Sequence, residues 1–577
     1  MAPRGRGKAK AQPVEIRPAD YPPPFRSSEA IAGFTDPADE RIEVGVLIVG
    51  AGPAGLACAI RLGQLLEERP DVAEQLGEVP IAIVDKGKAP GSHLLSGAVM
   101  NPRSIRRLFQ GRLGIEDVPN YGAVHGESVY FMTRKLAIPI PPPPVMKNHG
   151  NVVVSMSQLG RFLAEQAEEA GAMILPETAA DRLIVTGEAV RGIRTGDKGR
   201  GREGQELGNF EPGNDIGARV TVLAEGTQGY LTGSAIDRFG LGSPHPQQWE
   251  LGVKEVWKVA KPLGGIVHTM GWPLRPQAKY REFGGSWLYP MGPDLVSLGF
   301  VIGLDYRDVD ISAHDLLQEF KTHPKIRGIL EGGERLAWGA KTIPSGGYLA
   351  MPTRLYAPGM VICGDGAGMV NIPRLKGIHY AIESGRLAAE AIVASFDRGQ
   401  GPRKALASYD AAVRSGFIGK DLHEVRNIRQ VFSKGMFVGG ALASAMIGSK
   451  GNFPRRDVPT HADAEQPLLR TNRAASYPVP DGKLTFDKLS SVFASGNRTR
   501  DDQPNHIRIQ ETVPRDVAEM WVRLCPAQVY EIGADCGNGT VEVLMAPSNC
   551  VQCGAITAKG GRLTPPEGGS GPEYQLT

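Results

Sequence analysis

Two groups of residues in this chain have types and spacings that could do chemistry. The first is Gly50-Ala51-Gly52-Pro53-Ala54-Gly55, framed by the apolar run VGVLIV at 44–49 and by LACAIRLGQLL after it. That order predicts a strand, a glycine turn and a helix, the pattern of a dinucleotide-binding unit. Gly50 permits the sharp turn, Gly52 lets the backbone approach a pyrophosphate, and Gly55 lets the helix pack on the strand. The phosphates would sit where free N–H groups and the helix dipole favour anions. The second group is cysteine. Only six occur in the chain, yet Cys525, Cys536, Cys550 and Cys553 all follow residue 524. Cys550-x-x-Cys553 has the spacing of a ligand pair, and the group reads as a metal or redox site. Cys58 and Cys363 stand alone in apolar surroundings and are expected to be buried core thiols.

Further pieces separate FAD from NAD. A second strand, 81–84, ends in Asp85, whose carboxylate can accept from adenosine ribose hydroxyls, although it lies thirty residues after Gly55. A surface strand cap is the plainer alternative for it. Another buried strand, VTVLA at 220–224, runs into EGTQGYL. Much later, residues 359–363 lead into Gly364-Asp365-Gly366-Ala367-Gly368. A strand ending in Gly-Asp can place the Asp365 carboxylate on a ribityl chain, which NAD lacks. The stretch NIPRLKG, ending in Lys376 and Gly377, precedes an amphipathic helix expected over about 378–395. The N-terminus of that helix, at Ile378, could face the flavin pyrimidine edge and stabilise negative charge there. Together these pieces make FAD the cofactor expected from the residues.

A chain of 577 residues exceeds one hydrophobic core, so two to four units must position these groups. The apolar and charged fractions, 41% and 22%, are those of an ordinary globular protein. The net charge is +3, and Arg4, Arg6, Lys8 and Lys10 contribute four positive charges at the start; nothing points to a nucleic-acid partner. Glycine is in excess, at 74 residues, without a collagen-like period, which predicts tight turns and close backbone approach. The sparse cysteines favour a reducing compartment over a disulfide scaffold. The basic, Pro-rich start has no apolar core of a secretory signal. The longest apolar stretch, GMFVGGALASAMIGS at 435–449, lies between Lys434 and Lys450. It is too short to span a bilayer and reads equally as a buried helix hairpin or as a segment dipping into one leaflet.

Beyond these pieces the chain resembles the electron-transfer flavoprotein–quinone oxidoreductase family. The stretches that carry the resemblance include HLLSGAVMNPRS, ELGVKEVW, HTMGWPL, GGSWLYP, HPKIRGILEGGERLAWGA, IPRLKGIHYAIESGRLAAE and the tail CPAQVYE…NCVQC…PPEGGSGPEY. They run from about residue 44 to the C-terminus. The resemblance implies an α/β (α+β) protein with a discontinuous Rossmann-like FAD domain, an inserted quinone-binding domain and a C-terminal ferredoxin-like iron–sulfur domain. The expected boundaries are a basic tail at 1–43, FAD segments at 44–245 and 340–435, a quinone domain at 246–339, an apolar membrane-contacting segment and linker at 436–464, and the iron–sulfur domain at 465–577. Gly50, Gly52, Gly55, Asp85, Gly364, Asp365, Lys376, Gly377 and Ile378 would hold FAD. The family usually has Glu where Asp85 stands, one methylene longer. Gly284 and Gly285 would approach the quinone head; bare backbone beside Trp287, Leu288 and Tyr289 suits an isoprenoid quinone, whereas the residues alone would also allow a simple hairpin turn.

The resemblance also implies the activity: electrons from reduced electron-transfer flavoprotein pass through FAD, and through a [4Fe–4S] cluster, to ubiquinone or menaquinone at a membrane surface. The protein would be peripheral on the inner face of an energy-transducing membrane, attached through residues 435–447. Rival readings are an FAD monooxygenase or prenyl-lipid reductase on the same fold, and a non-catalytic flavoprotein scaffold. One departure stands out. Cys525, Cys550 and Cys553 match three cluster ligands, but the fourth position is Ile556, which cannot bind iron. Cys536 could replace it, a non-cysteine group could, or the cluster could be incomplete or lost, leaving Cys550 and Cys553 vestigial or bound to zinc.

Overall fold

The computed structural model describes residues 15–37, 40–397 and 406–577; the four basic residues of the first ten lie outside them. Its first sheet has nine strands and carries the nucleotide elements. At its centre Asp215–Leu223, Ile42–Val49, Ile81–Val84 and Met173–Leu175 lie side by side and parallel, with Met360–Ile362 on the far side of Asp215–Leu223. The central strands are continuous apolar runs because both faces are covered, and Val46, Leu47 and Ile48 are wholly buried. The helices Pro53–Glu68 and Ile378–Asp397 pack closely together against it. Their contact needs Gly385, whose Cβ would fall 2.0 Å from the Ala54 carbonyl oxygen. The polar stretch between Gly55 and Asp85 holds an extra short helix, Pro70–Leu76, which accounts for their long separation.

The second sheet has seven strands, in the order Glu334–Pro344, Trp249–Lys258, Leu295–Gly303, Gly284–Pro290, Ile266–Gly271, Glu127–Met132 and Ala137–Ile140. Gly284–Pro290 is thus a central strand and not a hairpin turn. The last two strands come from the stretch expected in the first FAD segment, so the inserted unit is not contiguous in sequence. One face of this sheet packs on the helix Ala313–Lys321, where Lys321 Nζ lies 2.8 Å from Glu255 Oε2 with both side chains wholly buried. The other face turns Trp287 and Tyr289 towards a small two-stranded sheet formed by Val99–Met100 and Val152–Val153.

The C-terminal unit has a three-stranded sheet of Thr512–Pro514, Thr540–Met545 and Tyr530–Gly537, with the helix Arg515–Leu524 across it. That helix buries Val517, Ala518, Met520, Trp521 and Leu524, a stripe with helical spacing. These residues join one hydrophobic cluster with the second sheet, so the two units share a core. The apolar stretch near 440 forms a single helix, Met436–Gly448, and no hairpin. Among the described residues no helix is long and apolar enough to cross a membrane.

Candidate functional site

The register Leu223↔Val49↔Val84 brings three strand ends level, and the glycine turn opens there. Gly50 has φ +108°, and a Cβ on it would meet the Ala224 carbonyl oxygen at 2.5 Å. A Cβ on Gly55 would sit 2.1 Å from the Gly50 oxygen, so this residue seats the helix on the strand. Gly52 differs: the nearest atom to its would-be Cβ is Leu94 Cδ2 at 3.8 Å, so its backbone faces open space. It precedes Pro53 with no side chain capping the helix, leaving the first N–H groups free for an anion. The Asp85 carboxylate accepts from the N–H groups of Ala51 and Gly87, each at 2.7 Å. Its visible work is therefore to brace the glycine turn against the next strand.

Across the cavity, the strand Met360–Ile362 delivers Gly364 and Asp365. Burial pushes the Asp365 carboxyl up to about 6 against the pull of Lys341, and among the described residues its side chain has no hydrogen-bond partner. Gly377 caps the helix Ile378–Asp397, accepting from the N–H groups of Tyr380 and Ala381. Lys376 is buried beside it, pushed down to about 7 by desolvation with Glu127 opposing. A single cavity of about 760 Å³ is lined by every FAD residue expected from sequence except Gly55, which lies beneath the turn. Four buried atoms in its lining, His93 Nδ1, Gln228 Nε2, His268 Nδ1 and Gln552 Oε1, have no hydrogen-bond partner among the described residues. Bare backbone at Gly52, two helix N-termini, unpaired polar groups and the free Asp365 carboxylate fit a long, polar, anionic cofactor such as FAD.

The same cavity runs on to Gly284 and Gly285. Here bare backbone is enforced by the sheet itself. Gly284 has φ +150°, and its Cβ would lie 2.0 Å from the Val301 oxygen; that of Gly285 would lie 2.4 Å from the Thr269 oxygen. Beside them His268 Nε2 and the Tyr289 hydroxyl share a 2.8 Å hydrogen bond, and His268 Nδ1 is 3.6 Å from Glu127 Oε1. Burial holds the imidazole neutral, its pKa pushed down to about 3. The cavity then passes Phe283, Phe432, Met436, Gly440 and Ala443, ending against the apolar helix Met436–Gly448, which exposes Phe437 and Val438.

Cys525, Cys550 and Cys553 come together in the C-terminal unit, all buried, and each is raised in pKa, chiefly by desolvation; the Cys553 thiol is pushed up to about 12. Cys536 does not join them. It is exposed on Tyr530–Gly537, where the hairpin turns at Asn538, so this expected fourth ligand is corrected: the hairpin carries it into solvent, away from the buried thiols. Among the described residues no group of three or more His, Cys, Asp and Glu is arranged to hold a single metal ion. Cys58 and Cys363 are buried core thiols, as expected.

Some cavity residues were not foreseen. His268 and Tyr289 lie within the matching stretches HTMGWPL and GGSWLYP, but only strand pairing brings them together. Lys86, which follows Asp85, and Lys341, in a strand of the second sheet, carry no local signal of a shared cavity.

The fold and the cavity define a Rossmann-type flavoprotein oxidoreductase with a second-sheet insertion. A solved structure with the same fold is the geranylgeranyl bacteriochlorophyll reductase-like protein of Thermoplasma acidophilum, 16% identical with a TM-score of 0.53, covering 74% of this chain and 95% of that one. Residues 249–343 match the family model "ETF-QO, ubiquinone-binding", and residues 482–575 match "Electron transfer flavoprotein-ubiquinone oxidoreductase, 4Fe-4S". The mitochondrial electron transfer flavoprotein-ubiquinone oxidoreductase of Arabidopsis thaliana is 37% identical over 95% of this chain and 86% of its own length. The Pseudomonas aeruginosa enzyme of the same name is 36% identical over 93% of this chain and 99% of its own. The chain belongs to the electron transfer flavoprotein-ubiquinone oxidoreductase family. The membership makes it an oxidoreductase with FAD and an iron–sulfur cluster as cofactors, and electron-transfer flavoprotein and ubiquinone as partners.

Proposed function

We propose that the cavity joining the glycine turn to the helix Met436–Gly448 is the path by which a membrane quinone, ubiquinone or menaquinone, reaches the flavin. The observation that carries this reading is continuity: Gly52, Asp365, Gly284, Gly285, Met436 and Ala443 all line one space. When bound, FAD supplies the two-electron redox chemistry that these side chains lack. The protein's part is to hold and to protonate. Gly52 and the N-terminus of Pro53–Glu68 would hold the pyrophosphate, Asp365 the ribityl chain and Asp85 the ribose end. Gly284 and Gly285 let a quinone head lie against backbone. Reduction to quinol takes two protons with the two electrons. Lys376, with its pKa near 7, can release one at Nζ, and the Glu127–His268–Tyr289 line can position another.

The exposed Phe437 and Val438, with Lys434 and Lys450 at the helix ends, suit attachment to one leaflet on the inner face of an energy-transducing membrane. Cys525, Cys550 and Cys553 would hold the iron–sulfur cluster, with electron-transfer flavoprotein docking near that unit. The quinone path is tested by Gly440→Phe, which points a large side chain into the cavity without a Cβ clash, since nothing lies within 4 Å of that position. KM for quinone is expected to rise at least about tenfold, equivalent to about 1.4 kcal/mol, while flavin reduction by electron-transfer flavoprotein is unchanged. An unaltered KM for quinone contradicts the path.

A further inference from the structure

A [4Fe–4S] cluster takes four thiolates, and the described residues bring together only three. The pocket that holds these three is nevertheless shaped for sulfur anions. The Cys525 sulfur accepts from the N–H groups of Ala527 and Val529, at 3.4 and 3.5 Å. The Cys550 sulfur accepts from the N–H of Gln552 at 3.4 Å. Left-handed backbone at Gln528, Gln552 and Gly554 sets these turns, with φ of 51°, 52° and 88°. Two glutamines held in that region cost of order 1 kcal/mol or more each. Thiolate charge in a core needs compensating positive charge, and a metal centre bonded to the sulfurs supplies it most directly. The turns are therefore those of ligands and not of vestigial thiols.

The corner for a fourth ligand is closed. Ile556 continues the three-residue spacing of Cys550 and Cys553, on the short helix Ala555–Ala558, and is 4% exposed. It belongs to the same hydrophobic cluster as the three thiols. Its Cγ1 lies 2.5 Å from where a Cβ on Gly561 would stand, and Ile509 Cγ2 lies 2.8 Å from the same point, so the side chain is packed on that side. Among the described residues no further Cys, His, Asp or Glu joins the three thiols as a metal-binding group. Cys536 is exposed on its hairpin. His506, buried with both ring nitrogens unpartnered, lies near Lys86 and Arg508 and joins no metal-binding group with the thiols among the described residues. Lys559 Nζ bonds the carbonyl oxygens of Tyr306 and Asp463.

We propose that Cys525, Cys550 and Cys553 hold a [3Fe–4S] cluster, one thiolate per iron, with Ile556 closing the corner where a fourth iron would sit. This inference goes beyond the quinone reading and does not depend on it.

The test uses full-length holoprotein purified anaerobically, with iron and acid-labile sulfide counted per FAD and EPR spectra taken before and after reduction. The expected result is about three irons and four sulfides per flavin, with a paramagnetic signal in the oxidised protein that is lost on one-electron reduction. Incubation with ferrous iron and a thiol should leave the count at three, because Ile556 admits no water to serve as ligand. Ile556→Cys should take up a fourth iron under the same treatment, and its signal should move from the oxidised to the reduced state; Ile556→Val should behave as the parent. Four irons in the parent, a fourth iron taken up by it, or iron near zero beside stoichiometric FAD would each overturn the proposal. Should Ile556→Cys fail to fold, the iron count and spectra of the parent still decide.

Discussion

The proposed flavin end and the cysteine end of this protein both aim backbone N–H groups at sites of negative charge, and they differ in what would hold the cofactor. At the flavin end the backbone is itself the contact. Gly50 and Gly55 have no room for a Cβ, because the Ala224 and Gly50 oxygens already occupy that space. At the cysteine end the backbone only supports side chains, which can be exchanged singly while the turn survives. The result is visible in the sequence: every glycine of the first turn is present, whereas one position of the cysteine series has become Ile556 and packs in the core. A site built from backbone is kept or lost whole, while a site built from side chains can lose one corner.

That contrast can be broken by substitution, beginning with the largest effect. Gly55→Val should abolish flavin binding, lowering FAD per protein at least about tenfold, because the new side chain would displace the helix whose N-terminus is proposed to hold the phosphates. Absorbance of the purified protein reads this directly, and normal FAD content would sink the claim that the turn is rigid. The proposed quinone wall is intermediate, since it would use backbone at Gly284 and side chains at His268 and Tyr289. Tyr289→Phe should keep FAD and flavin reduction by electron-transfer flavoprotein but slow quinone turnover about tenfold, as expected when one proton-positioning group is lost. Equal loss in both half-reactions would mean that Tyr289 only supports the fold. The smallest effect belongs to the cysteine end: Ile556→Val should cost about 0.5–1.5 kcal/mol in denaturant unfolding and leave the FAD content intact. A loss of several kcal/mol would show that this corner is as rigid as the glycine turn.

How much of this could be read from sequence follows the same division. The glycine turn, Asp85, Asp365 and the helix after Gly377 were legible because each is local, a strand followed by a turn whose residues suit one backbone path. The exact work of Asp85, bracing Ala51 and Gly87, was not, because it depends on two strands ending level. The seven-stranded sheet was legible only in part. Glu127–Met132 joins it by pairing parallel to Ile266–Gly271, more than a hundred residues away, and no local pattern reports such a partner. For the same reason the meeting of His268, Tyr289 and Lys376 around one cavity could not be foreseen. The cysteine spacing exposed the missing ligand at once, but not that Cys536 is carried outwards, since a Gly-rich hairpin can turn its side chains either way.

The central claim is that this cavity connects a dedicated protein donor to a membrane quinone. Its most direct test is anaerobic turnover of a short-chain ubiquinone analogue by the full-length holoprotein, driven in parallel by reduced electron-transfer flavoprotein, NADH and NADPH. The account predicts quinol formation with electron-transfer flavoprotein and none above background with either nicotinamide. Quinone reduction driven by NADH or NADPH, with none from electron-transfer flavoprotein, would contradict it.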